Sequence, residues 1–140
     1  DRYLKMQAKQ DIRRRISRVF VATLPDNPKA AIGYYTLSTL SIKLNQLPEK
    51  LARKLPKHLV PAALIGRLAV SSAAQGQGVG NMLLADAIKR TLAVSDQIAI
   101  YAIVVDAINE NAKGFYEQFG FTPISDDSPR LFLPLKSINL

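Results

Sequence analysis

The chain has 140 residues, 48% of them apolar, no cysteine, one histidine, and a net charge of +8 from 19 basic and 11 acidic residues. That length and apolar content predict one globular domain over residues 1–140, and no apolar run is long enough to span a bilayer. Without cysteine there are no disulfides, thiolate metal sites or thiol nucleophiles, and His58 alone builds no histidine metal centre, so no metal is expected. The cysteine count fits a reducing cytoplasm. The basic balance favours an anionic partner such as nucleic acid, a nucleotide cofactor or an acidic protein, although solubility alone explains it equally well.

The opening "DRYLKMQAKQ" has neither the apolar core nor the cleavage site of a signal peptide. It lacks an initiator Met and starts inside a helical pattern, so it reads as the interior of a longer chain. Residues 1–17 are expected to be an amphipathic helix, with Tyr3, Leu4, Ala8, Ile12 and Ile16 close to helical spacing. "RVFVAT" (18–23) and "AIGYYTLSTLSI" (31–42) read as strands joined through the turn-rich "LPDNPKA", giving an antiparallel hairpin. Tyr34 and Tyr35 point to opposite faces, one to the core and one free to line an acceptor pocket. A short helix is expected in "LPEKLARKL" (47–55).

"AALIGRLAV" (62–70) is then a central strand, followed by the glycine-rich "AAQGQGVGNML". Val79, Leu83, Ala87, Ile88 and Leu92 form a helical stripe, with Lys89 and Arg90 facing away. "QIAIYAIVVD" (97–106) has the character of a strand buried on both faces, as in an interior parallel position. "NENAKGFYEQFGF" is a short helix ending at Gly120, and "RLFLPL" (130–135) closes the sheet. The strand–helix–strand unit predicts a right-handed parallel crossover within a mixed α/β sheet.

Two meanings compete for the glycine cluster: an ordinary tight turn, or a loop that lays phosphate against backbone amides. No Gly-Lys-Ser/Thr follows, so it is not a Walker A loop. The spacing of Gly76, Gly78 and Gly80 is not Gly-x-Gly-x-x-Gly, and no acidic residue closes a second strand about twenty positions on. Gln75-Gly76-Gln77-Gly78-Val79-Gly80 does fit Gln/Arg-x-x-Gly-x-Gly/Ala, placed between a strand and an amphipathic helix. About thirty residues later stands Asn109-x-x-Ala112-x-x-Phe115-Tyr116-x-x-x-Gly120-Phe121. Together these motifs resemble the GNAT superfamily of acetyl-CoA-dependent N-acetyltransferases, over essentially the whole chain.

The resemblance implies a mostly antiparallel mixed sheet with two central, splayed parallel strands flanked by helices, and acetyl-CoA as cofactor. Amides of Gln75, Gly76, Gln77, Gly78, Val79, Gly80 and Asn81 would cradle the coenzyme pyrophosphate at the positive end of a helix. The edge of Leu68, Ala69 and Val70 would pair with the pantetheine arm like an added strand, an amide near Val70 serving as oxyanion donor. Asn109 and Tyr116 would lie across the cleft, Tyr116 as the acid that protonates the leaving thiolate. Phe115, Phe119 and Phe121 read as packing. Asp106 and Glu110 flank the site, with ordinary surface roles as the plainer reading. With no evident base, an α-amine acceptor (pKa about 7.7–8.0) is favoured over a lysine (about 10.4).

The stretches "YLKMQAKQDIRRRISRVFVA", "GYYTLS", "VPAALIGRLAV", "GQGVGNMLLADAIKR", "VVDAINENAKGFYEQFGF" and "LFLPL" together are similar to the acetyltransferase toxins of bacterial type II toxin–antitoxin modules. That likeness implies acetylation of the α-amine of aminoacyl-tRNA, arrest of translation, a ribbon-helix-helix antitoxin partner, a homodimer and no membrane. Arg13, Arg14, Arg15, Arg18, Lys89 and Arg90 are the candidate tRNA contacts; Lys5, Lys9, Arg53, Lys54 and Lys57 add basic charge. A solvated helix face is the competing explanation. Arg67 fits a contact to tRNA, to coenzyme, or a structural ion pair. Two other readings remain: an acetyltransferase for a small amine or protein N-terminus, and a non-catalytic coenzyme- or RNA-binding part of a repressor complex.

Overall fold

A computed structural model describes residues 5–10, 17–43, 47, 49–53 and 59–138. The hairpin expected near the start forms: β2 (Arg18–Leu24) and β3 (Asn27–Ile42) pair antiparallel around a turn at Pro25 and Asp26. The segment before it departs from expectation. Lys5–Gln10 is a strand, β1, antiparallel to β2 with Met6 opposite Ala22, and not part of a helix. Its residues also carry a period of two, Lys5, Gln7 and Lys9 alternating with Met6 and Ala8, and β2 offers the edge on which a strand of that period pairs. The rest of the expected helix, including residues 11–16, lies outside the described residues.

The short helix α1 covers Glu49–Ala52, and β4 runs Val60–Val70. A 3-10 turn at Ser72–Ala74 leads through the glycine segment into α2 (Val79–Ser95). β5 is Ala102–Asp106, shorter than the run 97–106. The missing residues close the end of α2, where the amides of Asp96, Gln97 and Ile98 bond back to Ala93 and Val94 carbonyls. α3 is Glu110–Glu117, then come β6 (Thr122–Pro123) and β7 (Arg130–Pro134). Gly120 has φ +95 and sits just beyond α3, as its C-terminal glycine should. β7 does not close the sheet edge; the two-residue β6, ending in Pro123, pairs outside it.

The chain divides into two compact units, one from the start through Ser38 with Ile65–Arg90, the other Thr39–Leu64 with Thr91 onward. In the first, the strand order is β1-β2-β3-β4. Its buried side chains come from the sheet (Phe20, Ala22, Tyr35, Ile65) and from the loop and α2 (Ala74, Val79, Leu83, Leu84, Ala87). Each buried Leu or Phe contributes roughly 1.5–3 kcal/mol. In the second, β4-β5-β7-β6 follow in order, and β4 and β5 form the parallel pair that the α2 crossover requires. Ala102 to Val105 are all fully buried, which explains the unbroken apolar run of β5. Ile42, Leu47, Val60, Ala62, Ala102, Val104, Ile124 and Phe132 make up this unit's core cluster.

One glycine sets how closely α2 lies on the first unit's sheet. A Cβ at Gly33 would stand 3.0 Å from the Ala69 carbonyl oxygen, 3.0 Å from Leu83 Cδ1 and 3.4 Å from Val79 Cγ1. Backbone on one side and buried helix side chains on the other leave nothing that yields cheaply. Gly33→Ala is therefore expected to cost about 1–3 kcal/mol of stability, read from a urea denaturation curve. A midpoint equal to wild type would refute the packing argument.

Candidate functional site

The first part of the site lies in the unit that carries the glycine segment. Gly76 and Gly78 have φ of +78 and +79, and nothing lies within 4 Å of a Cβ built at either. These glycines are needed for their backbone conformation, not for room. Gln75 to Gly78 are all exposed. The Met82 amide bonds to the Gly78 carbonyl at 3.1 Å, opening the helical ladder, so the amides of Val79, Gly80 and Asn81 precede it without intrahelical acceptors. No acidic residue occupies the first turn of α2. Open space, unspent amides and the positive end of a 17-residue helix together suit an anion such as a pyrophosphate.

The strand leading into this loop is anchored from both sides. The Ser71 amide donates to the Ile32 carbonyl at 2.8 Å, and Gln75 Nε2 donates to the Val70 carbonyl at 3.4 Å. Leu68 and Val70 are half-buried and Ala69 is exposed. Further along α2, a four-residue network fastens the helix to β2 and β3. The buried Tyr35 hydroxyl donates to Asp86 Oδ2, Arg90 Nε donates to the same oxygen at 2.8 Å, and the Arg90 guanidinium lies 4.3 Å above the Phe20 ring. Phe20 and Tyr35 stack at 5.1 Å. Burial first, and then the bond to Asp86, pushes the Tyr35 phenol far above its ordinary range. Arg90 therefore does not face away: this network engages its guanidinium. Asp86 and Arg90 stand four apart on one helix, and that spacing was the available signal. Of the tyrosine pair, Tyr35 is the core member and Tyr34 is half-buried.

The second part lies on α3, in the other unit. The Asn109 side chain accepts from the Ala112 amide at 2.8 Å and so caps the helix. Tyr116 is only 7% exposed, its ring 5.2 Å from Phe115 and 5.7 Å from Phe121. Burial raises its pKa. The phenol is therefore neutral at physiological pH, as an unperturbed tyrosine also is, and keeps its proton to donate. The β5–β7 register sets Asp106 opposite Arg130, whose Nε and Nη2 donate to its two oxygens at 2.8 and 2.9 Å. Glu110 is exposed in the first turn of α3.

Residues 57–132 match the model of the acetyltransferase (GNAT) domain. The chain belongs to the GNAT acetyltransferase family. Within it, the chain is 36% identical over 136 residues to the tRNA-acetylating toxin of Mycobacterium tuberculosis, covering 97% of this chain and 80% of that protein. It is 32% identical to a probable toxin TacT of Sinorhizobium fredii, over 86% of this chain and 71% of that one. Among solved structures, AtaT in complex with acetyl-methionyl-tRNAfMet superposes with a TM-score of 0.84 at 26% identity, covering 98% of this chain and 96% of that chain. A tyrosine-to-phenylalanine mutant of KacT gives 0.82 at 35% identity, covering 87% and 73%.

This GNAT domain keeps Leu68–Val70 and Gln75–Asn81 contiguous in one unit, and Asn109 with Tyr116 on the helix of the other. Of the expected tRNA contacts, Arg18 and Lys89 are exposed, Arg90 is held by Asp86, and Arg13, Arg14 and Arg15 lie outside the described residues. Lys54, Lys57 and His58 lie outside them too, while Arg53 pairs with Glu49 at 2.8 Å. Among the described residues no cluster of carboxylates and histidine is arranged to hold a metal. No helix there is long and apolar enough to cross a membrane.

The raised Tyr116 pKa gives a pH expectation. The neutral phenol is the form the fold favours, so its stabilisation is complete below the unfolded value of about 10 and fades as pH rises through the higher folded value. In an alkaline absorbance titration, Tyr116→Phe should remove a component that ionises above free tyrosine. A component lost within the ordinary range would show that the phenol is not desolvated.

Proposed function

We propose that this chain is a toxin that transfers the acetyl group of acetyl-CoA to the α-amine of aminoacyl-tRNA and so blocks translation. The observation that carries this reading is the 36% identity, over 97% of the chain, to a protein that is itself a tRNA-acetylating toxin. The geometry supports the chemistry. Unspent amides at the start of α2, reached through two left-handed glycines, suit the coenzyme's pyrophosphate, and the strand edge Leu68–Val70 suits its pantetheine arm. A related structure, AtaTR, is described as bound with AcCoA.

Bound acetyl-CoA supplies an activated thioester carbonyl. A strand amide near Val70 polarises that carbonyl while the acceptor amine attacks it. Tyr116 gives its phenolic proton to the departing thiolate sulfur, and the proton that the acylated nitrogen loses restores the phenol through solvent. An α-amine needs little help to be neutral at physiological pH, in keeping with the engagement of Asp106 by Arg130. Asn109 contributes from the cap of α3.

The protein acts in the cytoplasm as a homodimer, restrained by a ribbon-helix-helix antitoxin. Of these, the antitoxin partner is supported by structures of AtaT bound to the antitoxin AtaR and of the KacTA–DNA complex. Arg18 and Lys89, with Arg13, Arg14 and Arg15, supply phosphate contacts in this reading.

The deciding experiment incubates the protein with labelled acetyl-CoA and charged bulk tRNA, with uncharged tRNA and free amino acids as controls. Label on charged tRNA alone, released with the amino acid by mild base, is the expected result. Acetyl-CoA binding without label on tRNA would shift the acceptor to a small amine or protein N-terminus. Tyr116→Phe is expected to lower turnover by about 100-fold or more while leaving the acetyl-CoA Kd close to wild type. Undiminished turnover would remove Tyr116 as the acid.

A further inference from the structure

Arg67 is the sole charged residue of β4, a strand otherwise made of apolar residues, glycine and proline. Its backbone is fixed with some care. The Arg67 amide donates to Thr36 Oγ1 at 3.0 Å, and a Cβ on the preceding Gly66 would stand 2.8 Å from that same hydroxyl. A glycine at 66 is what leaves the hydroxyl its place. The Arg67 side chain is exposed and makes no ion pair among the described residues, whereas the guanidinium groups of Arg53, Arg90 and Arg130 are each engaged by a carboxylate. Among the described residues no carboxylate accounts for Arg67, and its exposure leaves it open to an anion from outside the chain.

Order along the strand separates the two possible sources of that anion. The pyrophosphate cradle at Gln75–Asn81 lies beyond the C-terminal end of β4, so the pantetheine arm enters at Val70 and runs back over Ala69 and Leu68. Arg67 is the next residue, about 3.3 Å further along, at the thioester end of that track. The phosphates of the coenzyme are all at the opposite end. In the reading proposed above, the anion present at the thioester end is the acceptor, whose free α-amine belongs to an amino acid esterified through its carboxyl group to a terminal ribose carrying a phosphodiester on its 5′ side.

We infer that Arg67 binds this terminal phosphodiester of the acceptor and so sets which amines present themselves to the thioester. The inference rests on the aminoacyl-tRNA reading above. A planar guanidinium can take two phosphate oxygens at once, which fixes orientation as well as adding attraction. The selection acts on the nucleotide next to the amine rather than on the amino-acid side chain.

The test uses the full chain with Arg67→Ala and Arg67→Lys, and two acceptors: charged tRNA, and a 3′-O-aminoacyl adenosine that has no phosphate. Arg67→Ala should lower kcat/KM on charged tRNA roughly tenfold to hundredfold and reduce its salt dependence by about one phosphate contact. It should leave both the acetyl-CoA Kd and the rate on the aminoacyl nucleoside at wild-type values, which also reports that the variant is folded. Arg67→Lys should recover the salt dependence and part of the rate. Weakened acetyl-CoA binding, an equal loss on both acceptors, or no loss on charged tRNA would each overturn the assignment. If wild-type protein acetylates the nucleoside but not charged tRNA, the aminoacyl-tRNA reading itself fails, a result visible before any variant is made.

Discussion

The first unit is organised around one constraint: α2 must start close against β3 and β4 while leaving its first amides unspent. Close approach comes from Gly33, where a single methyl group would meet the Ala69 carbonyl and two buried side chains of the helix. Unspent amides come from Gly76 and Gly78, which turn the chain through the left-handed region so that the helix begins without a side-chain cap. These glycines serve different ends. Gly33 provides space in a packed layer, and Gly76 and Gly78 provide conformation where space is plentiful. The Tyr35–Asp86–Arg90–Phe20 network holds the helix two turns further on, so its start is fixed by packing on one side and by polar bonds on the other.

This arrangement divides the positive charge of the chain into two kinds. A net charge of +8 suggests a uniformly basic surface, yet several of the cations are engaged within the fold. Arg90 neutralises Asp86 and covers an aromatic ring, and Arg130 neutralises Asp106 across a strand pair. Exposed pairs such as Arg53 with Glu49 add little stability, because solvent screens them. The cations that remain for a polyanion are fewer and are placed by particular elements: Arg67 on β4 and Lys89 on the outer face of α2 are exposed.

Where the sequence carried a strong period, it was legible. The stripe Val79, Leu83, Ala87 reads directly as α2, and the unbroken "AIVVD" reads as a strand covered on both faces, which the full burial of Ala102–Val105 bears out. The glycine segment was legible from its neighbours more than from itself, since a strand before it and a helix after it give the loop its place. What failed did so for physical reasons. "KMQAKQ" has too few apolar residues to separate a period of two from one of 3.6, and β2 as a pairing partner, which the local pattern does not record, decided for the strand. Residues 97–101 look as apolar as β5, but the terminal turn of α2 claimed their first amides. Arg90 was placed on the solvent face because charge alone assigns it there, while an acceptor four residues earlier and an aromatic beneath it drew it in.

The same economy bears on the proton chemistry. Amide formation from an ammonium group releases two protons from nitrogen and returns one to the thiolate sulfur, with one net proton lost to solvent. In the proposed mechanism the thiolate's proton comes from Tyr116 on α3, which is sunk among Phe115 and Phe121 and is neutral at physiological pH. For the nitrogen protons, the register that puts Asp106 opposite Arg130 engages both of its oxygens. In the proposed mechanism the demand falls on the acceptor, which arrives already neutral. A lysine side chain, with a pKa near 10.4, meets that demand rarely at physiological pH, whereas an α-amine, near 7.7–8.0, meets it often.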